Sequence, residues 1–399
     1  MSFCSPIAGD FRSDTVTKPT VRMGEAMLSA CANDETGDDV MREDPTLHKI
    51  EAKVAALLGK EASVFVPTCT MANLLAVGAH CGRGGEVLLG SESHIFVYEQ
   101  GGASWLMGAP FHPITNATDG TLPLASIESV LQMRGGGVDC HHPAPALICI
   151  ENTANRCGGS ALPVEYMDAL GALGAKYKLP VHCDGARILN ASTALGVDPA
   201  RLVAGCTSVS LCLSKGLGAP LGALLAGDAA FVERARRLRK AVGGGMRQAG
   251  VIAAAALVAL EDNYPKLAAD HARALRVAGG LATIPGIVVQ PKVDSNIVYF
   301  ALGDNWSVSH WQSRAKGACG SDGCVTLPEL QGASVPSTAV PEGASLSAAF
   351  CALVKAVANC KVGSYGTTKI RAVCHHQITD DMVEALLKGA AIAGACLSP

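Results

Sequence analysis

Short apolar runs alternate with helix-length segments through the first two-thirds of the chain, and few architectures accept that pattern. Glu86-Val-Leu-Leu89, Ala146-Leu-Ile-Cys-Ile150, Leu179-Pro-Val-His-Cys183 and Val209-Ser-Leu-Cys-Leu213 read as buried parallel strands, and Ala62 to Val66 as a further strand. One intervening helix announces its own start. Asp44 precedes Pro45, after which Leu47, Ile50, Val54 and Leu57 fall on one face. These features predict an α/β fold with a mostly parallel central sheet. Near Asn263-Tyr264-Pro265 the pattern gives way to a long helix beginning about Lys266, and a weaker α/β mixture follows. Residues 1–265 are therefore expected to form an N-terminal segment and a large domain, and residues 266–399 a smaller α/β domain. Residues 317–345, rich in glycine, serine and proline, are expected to be a surface insertion with little order.

Composition narrows the function classes. A net charge of -3 on 399 residues gives no electrostatic footprint for nucleic acid or an anionic membrane. The longest apolar stretch, around Val251 to Leu260, is too short to span a bilayer. The first motif begins at Asp10, which leaves little room for a presequence, and the C-terminal Leu397-Ser398-Pro399 is not a peroxisomal signal. The sixteen cysteines are dispersed without a Cys-x-x-Cys pair, as expected of thiols packed in a reducing cytosol. Cys319 and Cys324 lack a second ligand pair and His141-His142 lacks a third ligand, so no metal is expected.

The chemistry gathers where strands end. The run ending at Leu213 leads into Ser214-Lys215-Gly216-Leu-Gly218-Ala-Pro220, so a lysine leaves the sheet's carboxyl edge inside a tight turn. Desolvation there lowers a lysine's pKa and frees its amine to attack a carbonyl. The preceding strand ends in His182-Cys-Asp184-Gly-Ala-Arg187, which supplies an acid. A lysine that forms a Schiff base and an acid for a pyridine nitrogen are what pyridoxal 5'-phosphate requires. Pro67-Thr-Cys69-Thr70-Met-Ala-Asn73 opens a helix after a strand, which suits a phosphate seat or an ordinary helix cap. His94 follows another strand and either lies flat on a ring or caps the loop. Glu151-Asn-Thr153 ends a third strand with polar groups. Arg247 follows three glycines that mark unusual backbone, whereas Arg236 and Arg237 read as a solvated helix face. His141 lies near a possible site mouth. Arg371 reads as an edge arginine able to fork onto a carboxylate.

Taken in order, these motifs resemble those of the low-specificity L-threonine aldolases, pyridoxal phosphate enzymes with the aspartate-aminotransferase fold. The matching segments are Asp10-Phe-Arg-Ser-Asp-Thr-Val-Thr17, Gly37-Asp-Asp-Val40 with Glu43-Asp-Pro45, and Pro67 to Asn73. They continue through Glu151 to Thr153, Asp184 to Arg187, Ser214 to Pro220 and Gly243 to Gln248. The resemblance implies that Lys215 carries the cofactor, Asp184 pairs with its ring nitrogen and His94 stacks on the ring. Cys69 and Thr70 would hold the phosphate, with Arg247 approaching from a neighbouring subunit of a tetramer that shares its active sites. Ser13, Arg187 and Arg371 would bind the carboxylate of an amino-acid substrate, and His141 would lie near its β-hydroxyl. The implied reaction cleaves L-threonine or L-allo-threonine to glycine and acetaldehyde, the proton acceptor being His94, His141 or a water. The alternatives are a β-eliminating lyase on the same scaffold and a non-catalytic homologue that binds the cofactor. Three positions depart from the pattern: Cys69 replaces a glycine, Met41 a tyrosine and Ala154 a histidine. Cys69 requires ordinary backbone there or costs about 1 kcal/mol of strain.

Overall fold

The computed structural model describes residues 9–134, 140–317, 320, 323–327 and 332–399. They form two compact units, one of residues 17–267 and one that joins residues 9–16 to 268–399. The strands, in chain order, are β1 (Gly9–Asp10), β2 (Ala62–Val66), β3 (Glu86–Gly90), β4 (Phe111–Ile114), β5 (Pro145–Glu151), β6 (Val181–Gly185), β7 (Ser208–Cys212) and β8 (Ala223–Gly227). They continue as β9 (Ile287–Val289), β10 (Ile297–Leu302), β11 (Cys324–Leu327), β12 (Ala333–Pro336), β13 (Cys360–Lys361), β14 (Gly363–Tyr365) and β15 (Lys369–Val373).

In the larger unit seven strands make one sheet in the order β2-β8-β7-β6-β5-β3-β4. All run in one direction except β8, which is antiparallel to both neighbours. Strands β6 and β7 are buried along their whole length, and the polar side chains they carry, His182, Asp184, Ser208 and Ser210, are buried with them. The helix Pro45–Leu57 begins where the Asp-Pro pair places it, with Asp44 accepting from the Thr46 and Leu47 amides at 3.1 and 3.0 Å. The second Asp44 oxygen takes the Gly37 and Gly250 amides at 3.1 and 2.8 Å. One carboxylate thus joins three segments.

The smaller unit holds the sheet β14-β15-β10-β9, entirely antiparallel. Strand β1 pairs in parallel with β13, Gly9 opposite Cys360, which groups residues 9–16 with this unit and not with the larger one. Part of the expected loose insertion is ordered. β11 and β12 pair antiparallel and bury Val325, Leu327 and Val335 in this unit's core. The valines and leucine of a short hairpin are hidden in sequence among the glycines and serines around them. Cys319 lies outside the described residues. No described helix is long and apolar enough to cross a membrane.

Candidate active site

Parallel neighbours β5, β6 and β7 carry their polar residues to one edge. Glu151 lies opposite Asp184 in the β5–β6 register, and Asp184 lies opposite Ser210 in the next pair. Gly185 follows Asp184 because a Cβ there would meet the Ser210 carbonyl oxygen at 2.5 Å. Asp184 is buried and fixed at both oxygens: Oδ1 accepts from the Ala186 amide at 3.1 Å and Oδ2 from Asn73 Nδ2 at 3.0 Å. Lys215 follows β7 in a turn closed by Gly218 N donating to its carbonyl at 2.9 Å, with Gly218 at φ +75°. Thr17 Oγ1 donates to the same carbonyl at 2.8 Å. The turn therefore fixes the backbone of Lys215 and leaves its amine to the site.

The charges around that amine do not act in one direction. Burial and Arg187 push the Lys215 pKa down, but Cys212, Cys69 and Asp184 outweigh them, and the net direction is upward. The sequence expectation of a depressed lysine counted the first effect and missed the second. The Cys212 thiol is drawn down to about 6, chiefly by the neighbouring Cys69 thiol, with Lys215 helping against burial. Arg187 is buried at the start of the helix Ile188–Leu195, close enough to Lys215 to repel it.

The helix Cys69–His80 starts directly after β2 and Pro67. Its cap is Thr68, whose Oγ1 accepts from the Met71 amide at 3.1 Å. That leaves the Cys69 and Thr70 amides without an intrahelical acceptor, as at any helix start. Cys69 takes helical backbone with negative φ, so its side chain replaces glycine without strain. Its Sγ donates to Ser210 Oγ at 3.6 Å.

His94 opens the short helix His94–Val97. Its amide donates to Glu151 Oε2 at 2.6 Å, and its Nδ1 lies 2.9 Å from Glu99 Oε1. Burial lowers its pKa, but Glu99 and Asp184 raise it further, for a net rise. Glu151 is raised to about 6, first by burial and then by Asp184. Glu99 is raised by burial, against the donors His94 and Asn73. Side-chain ligand atoms of His94, Glu99 and Asp184 lie within 4.8 Å of one another, a cluster the sequence does not reveal. Glu99 and Asn73 are the members that strand-end reasoning undervalues: Glu99 sits in a loop, and Asn73 looks like one more helix residue.

Within the larger unit, other predicted residues lie away from these strand ends. His141 and His142 are exposed in the turn before β5. Arg247 is at the surface, its Nη1 2.7 Å from Asp38 Oδ2, and Gly243 at φ +85° follows the helix Ala229–Ala241. Arg236 is not a solvated charge: it reaches Glu51 at 3.0 Å and Asp39 at 3.5 Å. Met41 is exposed, and Ala154 is buried against Gly120 in the loop after β5. In the smaller unit Arg371 is buried on β15, which lies between β14 and β10 and so is an inner strand, not an edge. Its Nη2 donates to the Arg12 carbonyl at 3.0 Å, beside Ser13, and its guanidinium lies 4.6 Å over the Tyr365 ring.

Residues 10–302 match the beta-eliminating lyase family. The chain is 43% identical over 380 residues to a probable low-specificity L-threonine aldolase 2 of Arabidopsis thaliana, covering 95% of each. It is 41% identical over 295 residues to the low specificity L-threonine aldolase of Escherichia coli K12, covering 74% of this chain and 85% of that one. Among solved structures, a Leishmania major threonine aldolase superposes with a TM-score of 0.73 at 17% identity, covering 96% of this chain and 99% of that one. A putative aromatic amino acid beta-eliminating lyase/threonine aldolase from Exiguobacterium gives 0.74 at 17% identity over 97% of each. These two similarities show the fold, an α/β architecture with a mostly parallel central sheet. On the sequence matches, the chain belongs to the beta-eliminating lyase family and, within it, to the low-specificity L-threonine aldolases.

Proposed function

We propose that the protein cleaves L-threonine and L-allo-threonine to glycine and acetaldehyde, with pyridoxal 5'-phosphate held on Lys215. The observation that carries this reading is one edge of one sheet, where Lys215 after β7 stands beside Asp184 at the end of β6. The residues there fit the cofactor. They offer an amine for its aldehyde, a doubly anchored carboxylate for its ring nitrogen and two open helix amides for its phosphate. Thr153 Oγ1, just past β5, is buried without a hydrogen-bond partner, as suits a group kept for a ligand. When bound, the cofactor takes up the electron pair left on the substrate α-carbon as its bond to the β-carbon breaks.

The protein's own groups divide the remaining work. Lys215 would hold the cofactor and would be the amine that the substrate's own amine displaces and that frees glycine. Asp184, acting through Oδ2 or Oδ1, keeps a proton on the ring nitrogen. His94 would lie against the ring, and His94 or a water it holds would accept the β-hydroxyl proton; a positioned base supplies about 10²–10⁴-fold. Arg187 takes the phosphate side or the substrate carboxylate, for which Ser13 and Arg371 are the sequence candidates. Arg247, exposed on this chain, is assigned to a neighbour's phosphate in a homotetramer, which light scattering of the purified protein tests. The many free thiols suit the cytoplasm, where the enzyme would link threonine breakdown to glycine supply.

The direct test is the visible absorption of the purified protein, followed by borohydride reduction and peptide mapping. The cofactor is expected on Lys215 and on no other lysine. The family match also accommodates β-elimination, so products are assayed with threonine, tyrosine and tryptophan. Acetaldehyde and glycine support the proposal, whereas pyruvate and ammonia from the aromatic substrates would replace it.

A further inference from the structure

Asn73, the last residue of the Pro67–Asn73 segment, bonds four side chains at once. Its Nδ2 donates to Asp184 Oδ2 at 3.0 Å and to Glu99 Oε1 at 2.9 Å. Its Oδ1 lies 3.1 Å from His182 Nε2 and 2.9 Å from Ser210 Oγ, which donates to it. Asn73 is buried, and all four of its hydrogen-bonding positions are filled. The amide can face only one way. Reversed, it would turn an oxygen toward two carboxylates and an NH₂ toward two donors.

The chain behind it sets that direction. With Asn73 Oδ1 as acceptor, His182 carries its proton on Nε2, and its Nδ1 accepts from Ser208 Oγ at 2.9 Å. Ser208 Oγ in turn accepts from His80 Nε2 at 2.8 Å. Burial holds both imidazoles neutral at physiological pH, His182 down to about 4 and His80 to about 3. Every donor in the series therefore points from the buried helix toward the carboxylates.

We propose that Asn73 is a positioning residue for the aldol cleavage: its carboxamide fixes Asp184 against the cofactor ring and, through Glu99, fixes the His94 imidazole. The proposal rests on the functional reading above. Asp184 has two anchors, Asn73 and the Ala186 amide, and Glu99 has two, Asn73 and His94. Removing Asn73 deprives each carboxylate of half its support. Glu99 then ionises less readily, and His94 loses the anion that holds its Nδ1 proton. The other charged or titratable groups facing His94 are Glu151 at its amide, Asp184, Lys215 and the Tyr98 ring 5.4 Å away, and they remain in place.

Asn73→Ala and the near-isosteric Asn73→Asp test this in the cofactor-loaded enzyme. The first readout is the His94 imidazole titration by NMR of ¹⁵N-histidine protein, the resonance being assigned by its loss in His94→Asn. Asn73→Ala should move the His94 pKa downward. Both variants should lose kcat for threonine roughly ten- to hundredfold, the loss of one charge-assisted hydrogen bond, with KM changing much less. Asn73→Asp guards against misfolding in the alanine variant, because it keeps the shape and only replaces the donor by a third carboxylate. Unchanged His94 titration and a kcat within twofold of the parent, with only the melting temperature lowered, would overturn the proposal and make Asn73 a packing residue. If the parent enzyme does not cleave threonine, the functional reading fails by itself, and the titration still decides whether Asn73 governs His94.

Discussion

The larger unit contains two buried clusters of charge, and they are built on opposite plans. Around Asp39, Arg239 Nη2 lies 2.6 Å from one carboxylate oxygen and Arg236 3.5 Å from the other, while Arg236 also holds Glu51 at 3.0 Å. Arg239 Nη1 donates to the Phe65 carbonyl at 2.6 Å, and Glu51 Oε1 accepts from the Phe65 amide at 2.8 Å. Two guanidinium groups meet two carboxylates and the network closes on itself. At the site edge, Glu99, Glu151 and Asp184 lie with the His94 imidazole, Lys215 and the nearby Arg187, and the pKa values of Glu99, Glu151, His94 and Lys215 are displaced. Removing one partner of a buried ion pair is costly because it leaves the other charge uncompensated, whereas a cluster of displaced pKa values in one place is a candidate for chemistry. Family resemblance marks motifs in both clusters, because Gly37-Asp-Asp-Val40 supplies the first and Asp184-Gly-Ala-Arg187 the second.

The sharpest break in that contrast is Lys215→Ala, expected to abolish threonine cleavage and borohydride labelling while leaving the denaturation midpoint near that of the parent. A variant that still incorporates the label would remove Lys215 from the role. Next comes Asp39→Ala, which strands the buried Arg239 guanidinium while Arg236 keeps Glu51, and should cost about 3–5 kcal/mol in urea denaturation. Its kcat per folded, cofactor-loaded protein should survive. A large kcat loss with intact stability would erase the distinction between the clusters. Asp184→Ala should do the reverse, lowering kcat at least about tenfold, since a hydrogen bond to a charged group is worth ~1.5–3 kcal/mol. Stability should change much less.

The smallest effect concerns acid. His80 and His182, depressed to about 3 and 4, stay neutral in the fold while the unfolded chain takes up protons near its usual histidine pKa. Their contribution to stability is therefore complete above about pH 6.5 and is lost as pH falls toward 4. Glu151, raised to about 6, works against this, since it binds its proton in the fold before the unfolded chain does. The two histidines are displaced further than Glu151, so the part of the stability they supply should fall on acidification. His80→Gln keeps a donor for Ser208 and should make that decline shallower. An identical pH profile in the variant would show that His80 titrates alike in both states.

Strand identity and the cap at Asp44 are legible because each follows from a local rule, a continuous apolar run or a carboxylate ahead of a proline. The direction of β8 is not, since a five-residue apolar strand reads the same both ways. Lys215 and Asp184 can be read from position at strand ends. Asn73 and Glu99 cannot, because their importance comes from partners far away in sequence, Asp184 for one and His94 for the other. Arg371 is misread as an edge residue for the same reason: strand order, not strand sequence, decides which strand is inside. The direction of the Lys215 shift depends on Cys69 and Cys212, two thiols that the motif alone treats as packing.

The pairing of β1 with β13 bears on how the chain is made. Ribosomal synthesis delivers Gly9 long before its partner Cys360. Through most of elongation, at about 5–20 residues per second, the start of the chain has no strand to join. The larger unit, contiguous from residue 17 to 267, can collapse on emergence, but the smaller one must wait for its C-terminal half. A nascent chain stalled before residue 360 would therefore carry an unpaired leading strand, and its exposure to proteolysis should end only when β13 leaves the exit tunnel.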